Sequence, residues 1–304
     1  MSNKPVYISM LVATLFWSGA FIAGKMAGTV FMPLTLTFFR FFFALPFIFL
    51  LLKIKEPANF VPAKEQIMPL IILGIVGTLG YHYFFFMALR YTTATNSALI
   101  GATNPMVTTV LAVLFFKEKI TALRLAGVGI SLFGVFSVIT GLDPQIIGEM
   151  AFNRGDLLMF LGVLCFSVYA LLSRKYMMQY KISPLTATAY SFLVCTILSL
   201  VFSLFLENPL AAAGQAPGRV WLEILYMSIL ASVIGYYVQL NSIQKIGAPK
   251  TMIFINLVPV NTIILARVIL NEEISLLKIL MALVIILGVY LTARPEKESK
   301  SSNR

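Results

Sequence analysis

Charged residues are scarce in this 304-residue chain, where Asp, Glu, Lys and Arg make up only 12% of the sequence. Soluble domains carry about 25% charged residues, whereas here 59% of the residues are hydrophobic and the mean hydropathy is +0.91. The net charge is +11, but the basic residues lie in short connections between apolar runs. We therefore expect the lipid bilayer, and not nucleic acid, as the partner of this surface.

Cysteine and histidine are also rare, with two and one copies respectively. Cys165 and Cys195 lie inside apolar runs, so we interpret them as small buried side chains, and the sequence has no disulfide framework or metal-ligand spacing. A membrane enzyme needs clustered Asp, Glu or His groups for metal binding or acid–base work. The sequence offers only His82 and acids near helix ends, so we predict no catalytic residue, no metal and no cofactor.

Long apolar runs recur to the end of the chain, and no polar stretch between them is long enough for a soluble domain. The run from Val6 to Ala27 is too long for the core of a signal peptide, so we interpret it as an uncleaved first helix. The sequence predicts an all-α integral membrane protein with ten transmembrane helices. These lie near residues 6–27, 34–52, 67–89, 95–116, 122–141, 156–173, 185–206, 221–243, 250–270 and 275–293.

Lysine and arginine are divided unequally between the two sides of this topology. With the N-terminus in the cytoplasm, one side carries 16 of them and the other carries five, while Arg40 and Arg267 lie within spans. Cytoplasmic loops are enriched in these residues. The pattern predicts a multi-pass protein of the cell membrane (inner or plasma membrane) with both termini cytoplasmic, and residues 295–304 as a cytoplasmic tail.

The two halves of the chain repeat one another. The segment PMVTTVLAVLFFKEKIT at 105–121 matches PVNTIILARVILNEEIS at 259–275 with an offset of 154 residues, and PLTLT at 33–37 matches PLTAT at 184–188 with an offset of 151 residues. We predict a first five-helix unit and a second one of opposite polarity, since an odd number of helices inverts the second copy. Inverted repeats are typical of transporters with a site near the midplane. The predicted units are 1–142 and 155–294.

The inversion explains why lysines disappear from one copy of the matched segment. Lys117 and Lys119 on the predicted cytoplasmic side become Asn271 and Glu273 on the other side, as the lysine bias requires. The glutamate between them persists as Glu272. Because this position precedes a helix N-terminus, we interpret the glutamate as a cap of that helix and not as a proton carrier.

The chain resembles the EamA family of the drug/metabolite transporter superfamily. The resemblance rests on ALRYTTATNSALIGATNPMVTTVLAVLFFKEKITALRLAGVGISLFGV in the first half, SIQKIGAPKTMIFINLVPVNTIILARVILNEEISLLKILMALVIILGV in the second, and FFRFFFALP around Arg40. It implies a ten-helix transporter with a central cavity walled by helices 1, 3, 4, 6, 8 and 9. It also implies small-metabolite substrates, often amino acids or related compounds, and often export.

Polar side chains at membrane depth are costly, so we expect them to face a cavity or each other. Tyr81, His82 and Phe85 share one face of the third helix, and a 154-residue offset relates His82 to Tyr236 and Phe85 to Gln239. Such a mostly neutral, aromatic wall suits amphipathic or zwitterionic metabolites. The predicted substrate-binding residues are Trp17, Ser18, Arg40, Tyr81, His82, Asn96, Thr103, Asn104, Ser167, Tyr169, Tyr236, Gln239, Asn241, Asn256 and Asn261.

Several of these positions have two interpretations. Arg40 either binds a substrate carboxylate or clamps helix-end carbonyls, and Trp17 either lines the cavity or packs against lipid or protein. His82 either relays protons, since imidazole titrates near neutral pH, or acts as a neutral hydrogen-bonding side chain. Pro105 and Pro259 either bend their helices toward the cavity or make plain packing kinks.

The sequence therefore favours a transporter that moves small metabolites, by efflux, through alternating access around a central cavity. The alternatives are an integral membrane enzyme and a structural membrane protein without transport.

Overall fold

The computed structural model describes residues 4–116, 121–144, 153–246, 254 and 257–293, which are mostly helical and contain no strand. The first half contains α1 (Lys4–Ala27), α2 (Pro33–Lys55), α3 (Lys64–Leu73), a π-helical segment π1 (Gly74–Gly80), α4 (Tyr81–Tyr91), α5 (Ala94–Gly101), α6 (Asn104–Phe116) and α7 (Ala122–Thr140). The second half contains α8 (Arg154–Gln179), α9 (Pro184–Leu206), α10 (Pro209–Gln215), α11 (Gly218–Tyr226), π2 (Met227–Ile234), α12 (Gly235–Ile246), α13 (Leu257–Ile269) and α14 (Leu276–Ala293).

Seven helical stretches are long and apolar enough to cross a membrane. Three shorter apolar helices, Leu125–Thr140, Leu257–Ile269 and Leu276–Leu291, lie where the fifth, ninth and tenth spans are predicted. The prediction of an all-helical protein with several membrane spans is therefore confirmed. The seven stretches are Pro5–Ala27, Pro33–Lys55, Lys64–Tyr91, Ala94–Phe115, Arg154–Gln179, Pro184–Leu206 and Gly218–Gln239.

The fourth predicted helix differs from the structure because it is broken near its centre. The helix α5 ends at Gly101 and α6 begins at Asn104. Pro105 has no amide hydrogen to donate to the preceding turn, and the hydroxyl of Thr103 donates to the carbonyl of Ile100 at 2.6 Å. The connection between the seventh and eighth predicted helices also contains the short helix α10.

Helices from the two halves pack against each other throughout the bundle. The helix α2 lies along α9, α7 lies along α14, and α8 contacts π1, α4, α5 and α6. The α7–α14 contact is close because Gly288 has no side chain: a Cβ there would lie 2.4 Å from Oγ of Ser131. Small residues at such positions let membrane helices approach each other closely.

The two ends of the bundle differ in the number of lysines they carry, and we name them the lysine-rich end and the lysine-poor end. The lysine-rich end carries Lys53, Lys55, Lys64 and Lys181. The lysine-poor end carries the C-terminal ends of α1, α4 and α9 and the N-terminal ends of α2, α5 and α8.

Candidate substrate-binding site

Two π-helical segments interrupt the helices that carry most of the aromatic candidates. Gly74 begins π1 and Met227 begins π2, and these positions correspond to within one residue under the 154-residue offset. The same offset pairs Thr78 in π1 with Ser232 in π2. π-Helical turns widen the backbone and are frequent at functional sites.

The guanidinium of Arg40 is buried beside π2. Its Nε donates a hydrogen bond to Oγ of Ser232 at 3.0 Å, and only 4% of the residue is exposed. The guanidinium carbon lies 5.6 Å from the ring centre of Phe41 and 5.8 Å from that of Phe86. Within the described residues the one salt bridge joins Arg219 and Glu223, so no acidic partner of the chain neutralises Arg40 there.

The imidazole of His82 lies against π1. Its Nδ1 is 2.7 Å from the carbonyl oxygen of Thr78. A carbonyl oxygen can only accept, so Nδ1 carries the hydrogen and the neutral ring has its lone pair on Nε2. The ring makes edge contacts with Phe41 at 4.7 Å and with Tyr81 at 4.8 Å between centres.

Aromatic rings from four helices enclose these two groups. Tyr81 packs against His82, and Tyr236 follows Ser232, the partner of Arg40, by four residues. Phe192 of α9 contacts a ring from each half of the chain. Its ring centre lies 4.7 Å from that of Phe41 and 5.5 Å from that of Tyr236. We call Arg40, Tyr81, His82, Ser232 and Tyr236 the Arg40 cluster. It unites four predicted residues and lies at the interface of the two halves of the chain.

Ser18 and Ser167 make equivalent contacts with the residues that precede the two prolines. The hydroxyl of Ser18 donates to the carbonyl of Val258 at 3.1 Å, just before Pro259. The hydroxyl of Ser167 lies 2.8 Å from Oδ1 and 3.4 Å from the carbonyl oxygen of Asn104, just before Pro105. The predicted residues Ser18, Ser167 and Asn104 therefore join helices of opposite halves next to the two prolines.

Trp17 and Tyr169 pack against the π segments. The indole Nε1 of Trp17 donates to the carbonyl of Ala231 in π2 at 3.0 Å. The ring of Tyr169 occupies the space beside Gly77 in π1, and its phenol lies within electrostatic range of Tyr236. For Trp17 the structure therefore favours packing against protein over a lipid-facing position.

The candidates Asn96 and Thr103 of the fourth span are separated by the break between α5 and α6. Asn96 lies five residues before the end of α5, where its Nδ2 is 3.3 Å from the carboxylate of Asp156 at the lysine-poor end. Thr103 is fully buried in the break, and its hydroxyl donates to the carbonyl of Ile100 in α5. The structure therefore differs from a continuous helix over 95–116 between Gly101 and Asn104.

The remaining candidates lie on the second half of the chain. Gln239 is buried in α12 with 8% exposed, while Asn241 in α12 and Asn261 in α13 are partly exposed. Asn256 lies outside the described residues.

The glutamate cap at Glu272 differs from the prediction. Its carboxylate accepts hydrogen bonds from the amides of Ala94 and Thr95, at 2.8 and 3.2 Å, and so caps α5 and not the helix that follows it. Glu118 and its flanking lysines lie outside the described residues. Arg267 is exposed in the last turn of α13, where it faces the carbonyl of Glu272.

Sequence reasoning missed several residues of the site. Phe41 and Phe192 belong to the aromatic enclosure, and Ser232 is the direct partner of Arg40. The 154-residue offset that relates His82 to Tyr236 also relates Thr78 to Ser232. The sequence repeat could therefore have identified Ser232 as a residue of the site. Within the described residues, no group of three or more His, Cys, Asp or Glu side chains is placed to hold a metal ion.

A family model described as the EamA-like transporter family matches residues 4–140 and 153–294. The chain belongs to the EamA-like transporter family. This EamA-like protein is 32% identical over 289 residues to the uncharacterized transporter YyaM of Bacillus subtilis (strain 168), covering 95% of this chain and 93% of the relative. It is 28% identical over 298 residues to an uncharacterized transporter of Archaeoglobus fulgidus, covering 97% of this chain and all of the relative.

More distant likenesses extend the comparison. A WAT1-related protein of Arabidopsis thaliana is 24% identical over 253 residues, covering 73% of the EamA-like chain and 63% of the relative. A solved crystal structure of a protein aligns with a TM-score of 0.66 at 19% identity, covering 96% of this chain and 98% of the other, and so shares the fold. Family membership and the names of the two microbial relatives support membrane transport as the activity.

Proposed function

We propose that this EamA-like protein exports small amphipathic metabolites, amino acids or related compounds, by alternating access to a site around Arg40. The site comprises the Arg40 cluster together with Trp17, Ser18, Tyr169, Ser167 and Asn104, which hold its wall. The outlying candidates Asn96, Thr103, Gln239, Asn241 and Asn261 belong to the path between the site and the two ends of the bundle, and Asn256 stays a substrate contact predicted from the sequence.

The proposal includes ten spans in two inverted units, 1–142 and 155–294, with both termini and the tail 295–304 in the cytoplasm. Seven long and three shorter apolar helices support an even number of crossings. The π segments at equivalent positions of the two halves support the repeat. In the cell membrane, the lysine-rich end then faces the cytoplasm.

The observation that carries the proposal is the buried positive charge of Arg40, whose contacts are a hydroxyl and aromatic rings. A buried charge without a counter-charge is strongly destabilising, and ionisable side chains inside membranes usually mark a substrate path. A substrate carboxylate would supply the missing charge and match the planar fork of the guanidinium.

The aromatic groups complete a zwitterion site. The faces of Tyr81 and Tyr236 offer places for an ammonium group by cation–π attraction. His82 offers its Nε2 lone pair to a donor on the substrate, since Nδ1 is bound to Thr78. In this proposal His82 is a neutral contact and not a proton relay.

Metabolite profiling of the medium of cells that overproduce the protein would identify the substrate and the direction of transport. The compound would then be followed in proteoliposomes that contain wild type, Arg40→Gln or Arg219→Gln. Arg219 is the matched control because it is exposed and paired with Glu223. We expect Arg40→Gln to lower substrate affinity roughly ten- to hundredfold, the loss of about 1.5–3 kcal/mol from a charged hydrogen bond.

Two results would contradict the proposal. Transport by Arg40→Gln at the wild-type affinity would exclude Arg40 as the carboxylate partner. A folded wild-type protein that moves no compound in either direction would favour the alternatives of a membrane enzyme or a structural membrane protein.

A further inference from the structure

Four glutamates stand at equivalent places in the two halves of the chain. Glu56 directly follows α2, and Glu207 directly follows α9, each at the C-cap position of its helix. The alignment of PLTLT with PLTAT relates these two residues as well, and Glu118 and Glu272 form the second related pair. Glu56 belongs to the lysine-rich end, whereas Glu207 and Glu272 belong to the lysine-poor end; Glu118 lies outside the described residues.

At the lysine-poor end, Glu207 reaches across to a helix of the other half. One carboxylate oxygen accepts from the amide of Leu34 at 3.0 Å, and the other accepts from the amide of Thr35 at 2.7 Å. These are first-turn amides of α2, and the N-cap residue Met32 provides no side-chain hydrogen bond to them. A carboxylate there satisfies free donors and faces the positive end of the helix dipole.

Glu272 makes the same contact with another helix of the first half. Its two oxygens accept from the consecutive amides of Ala94 and Thr95 at the start of α5. Each glutamate therefore uses both oxygens on two successive amides, and each bond joins the second half of the chain to the first. We call these two contacts the glutamate caps.

The equivalent cap at the lysine-rich end is not made by Glu56. The repeat relates Leu34 and Thr35 to Leu185 and Thr186, the first-turn residues of α9. Instead, the carboxylate of Glu56 accepts from Nδ2 of Asn59 at 3.1 Å, and the amide of Thr186 donates to Oγ of Ser183 at 3.0 Å. The two ends thus differ in whether a glutamate bridges the halves.

We infer that the glutamate caps hold the lysine-poor end closed, and that they exchange with an equivalent cap by Glu56 when the opposite end closes. This inference rests on the proposed alternating access and adds the contacts that bias it. Opening the lysine-poor end separates the halves there, so it must break the bonds of Glu207 and Glu272. Closing the lysine-rich end brings Glu56 to the amides of Leu185 and Thr186, where it displaces Ser183.

Each glutamate that changes partners stabilises only one of the two states, and such a difference shifts the populations of the states. The matched control is Glu273, which neighbours Glu272 on the same surface and is exposed. Substitution of a residue that merely stabilises the fold would lower the stability of both states equally. The ratio of the two populations would then stay unchanged.

The test uses one reporter cysteine at position 262 in a protein that also carries Cys165→Ala and Cys195→Ala. Thr262 is fully buried in α13, within two turns of the lysine-poor end of that helix. A membrane-impermeant thiol reagent is added to intact cells and, separately, to inverted vesicles, so that labelling from each side is measured without a substrate.

We expect Glu207→Gln together with Glu272→Gln to raise the rate of labelling from the lysine-poor side about five- to thirtyfold, because two helix caps are weakened. Glu273→Gln should leave the rate unchanged. Adding Glu56→Gln to the double variant should return the rate toward that of the wild type, since the opposite state then loses its own cap. Elution as a single species in detergent checks folding, and Glu207→Gln alone is used if the double variant fails to fold.

The outcomes separate this inference from the proposed function. Labelling that occurs in the wild type but is unaffected by the glutamate substitutions would overturn the exchange of caps and keep alternating access. A raised rate that Glu56→Gln does not reverse would overturn the role of Glu56. No labelling in any folded variant would overturn alternating access, and the exchange of caps with it.

Discussion

Gly77 lies directly against the ring of Tyr169, and a Cβ atom at Gly77 would be 2.0 Å from Cδ2 of that ring. The contact fixes π1 against α8 beside the Arg40 cluster. It leaves no room for any larger residue at position 77 unless Tyr169 moves.

The first prediction concerns this contact. We expect Gly77→Ala to destabilise the protein by about 1–3 kcal/mol, the usual cost of overpacking, and to reduce transport because Tyr169 is displaced. Thermal unfolding in detergent and flux in proteoliposomes would measure the two effects. Gly129→Ala is the control, since a Cβ at that exposed helical position meets nothing within 4 Å. Equal stability of the two variants would contradict the packing argument.

A second prediction concerns the role of His82. Nδ1 is bound to Thr78 within the helix, so we expect His82→Gln to weaken substrate binding while the dependence of transport on pH stays that of the wild type. Flux measured between about pH 5.5 and 8, across the range where an ordinary imidazole titrates, would test this. Full transport by His82→Gln with the loss of coupling to a proton gradient would instead support the proton relay.

The third prediction tests the proposed topology at the connection between α13 and α14. Substituting Asn271→Lys together with Glu273→Lys adds positive charge to a loop proposed to face outward, so we expect the last two helices to insert less efficiently. Labelling of cysteines placed on either side of the membrane would report their orientation.

This experiment needs a control for the backbone. Asn271 has φ of +54°, in the left-handed region that asparagine tolerates better than most residues. Asn271→Gln together with Glu273→Gln disturbs the same backbone without adding positive charge. An orientation that is equally perturbed in both double variants would assign the effect to the turn and not to the charge.

Much of the fold could be predicted because local amino-acid composition is enough to locate membrane spans. Apolar runs located the helices, and the spacing of Tyr81 and His82 relative to Phe85 indicated a shared face, on which the three rings contact one another. The π turns were not predictable, since an unbroken apolar run is compatible with both α-helical and π-helical geometry. The cap on Leu34 was missed for a different reason: its carboxylate comes from Glu207, in the other half of the chain.

The candidate residues of the fourth span show the limit of helical spacing as a guide. Asn96 and Thr103 would share a face in a continuous helix, but the break after Gly101 separates Asn96, which contacts Asp156, from the centre of the bundle. Pro105 predicted a distortion of the helix. The size of the distortion depends on Ser167 and other partners that come later in the chain.

The π turns have a mechanical consequence for the two helices that contain them. A π turn accommodates more residues than an α turn, and each residue of an α-helix advances the chain by 1.5 Å and turns it by about 100°. If such a turn moves along its helix by one residue, the side chains it passes rotate while the rest stay fixed. His82 is the second residue after π1, and Tyr236 is the second residue after π2. A shift of either π turn by one residue would therefore rotate the side chain that it passes by about 100°, without the unfolding of either helix.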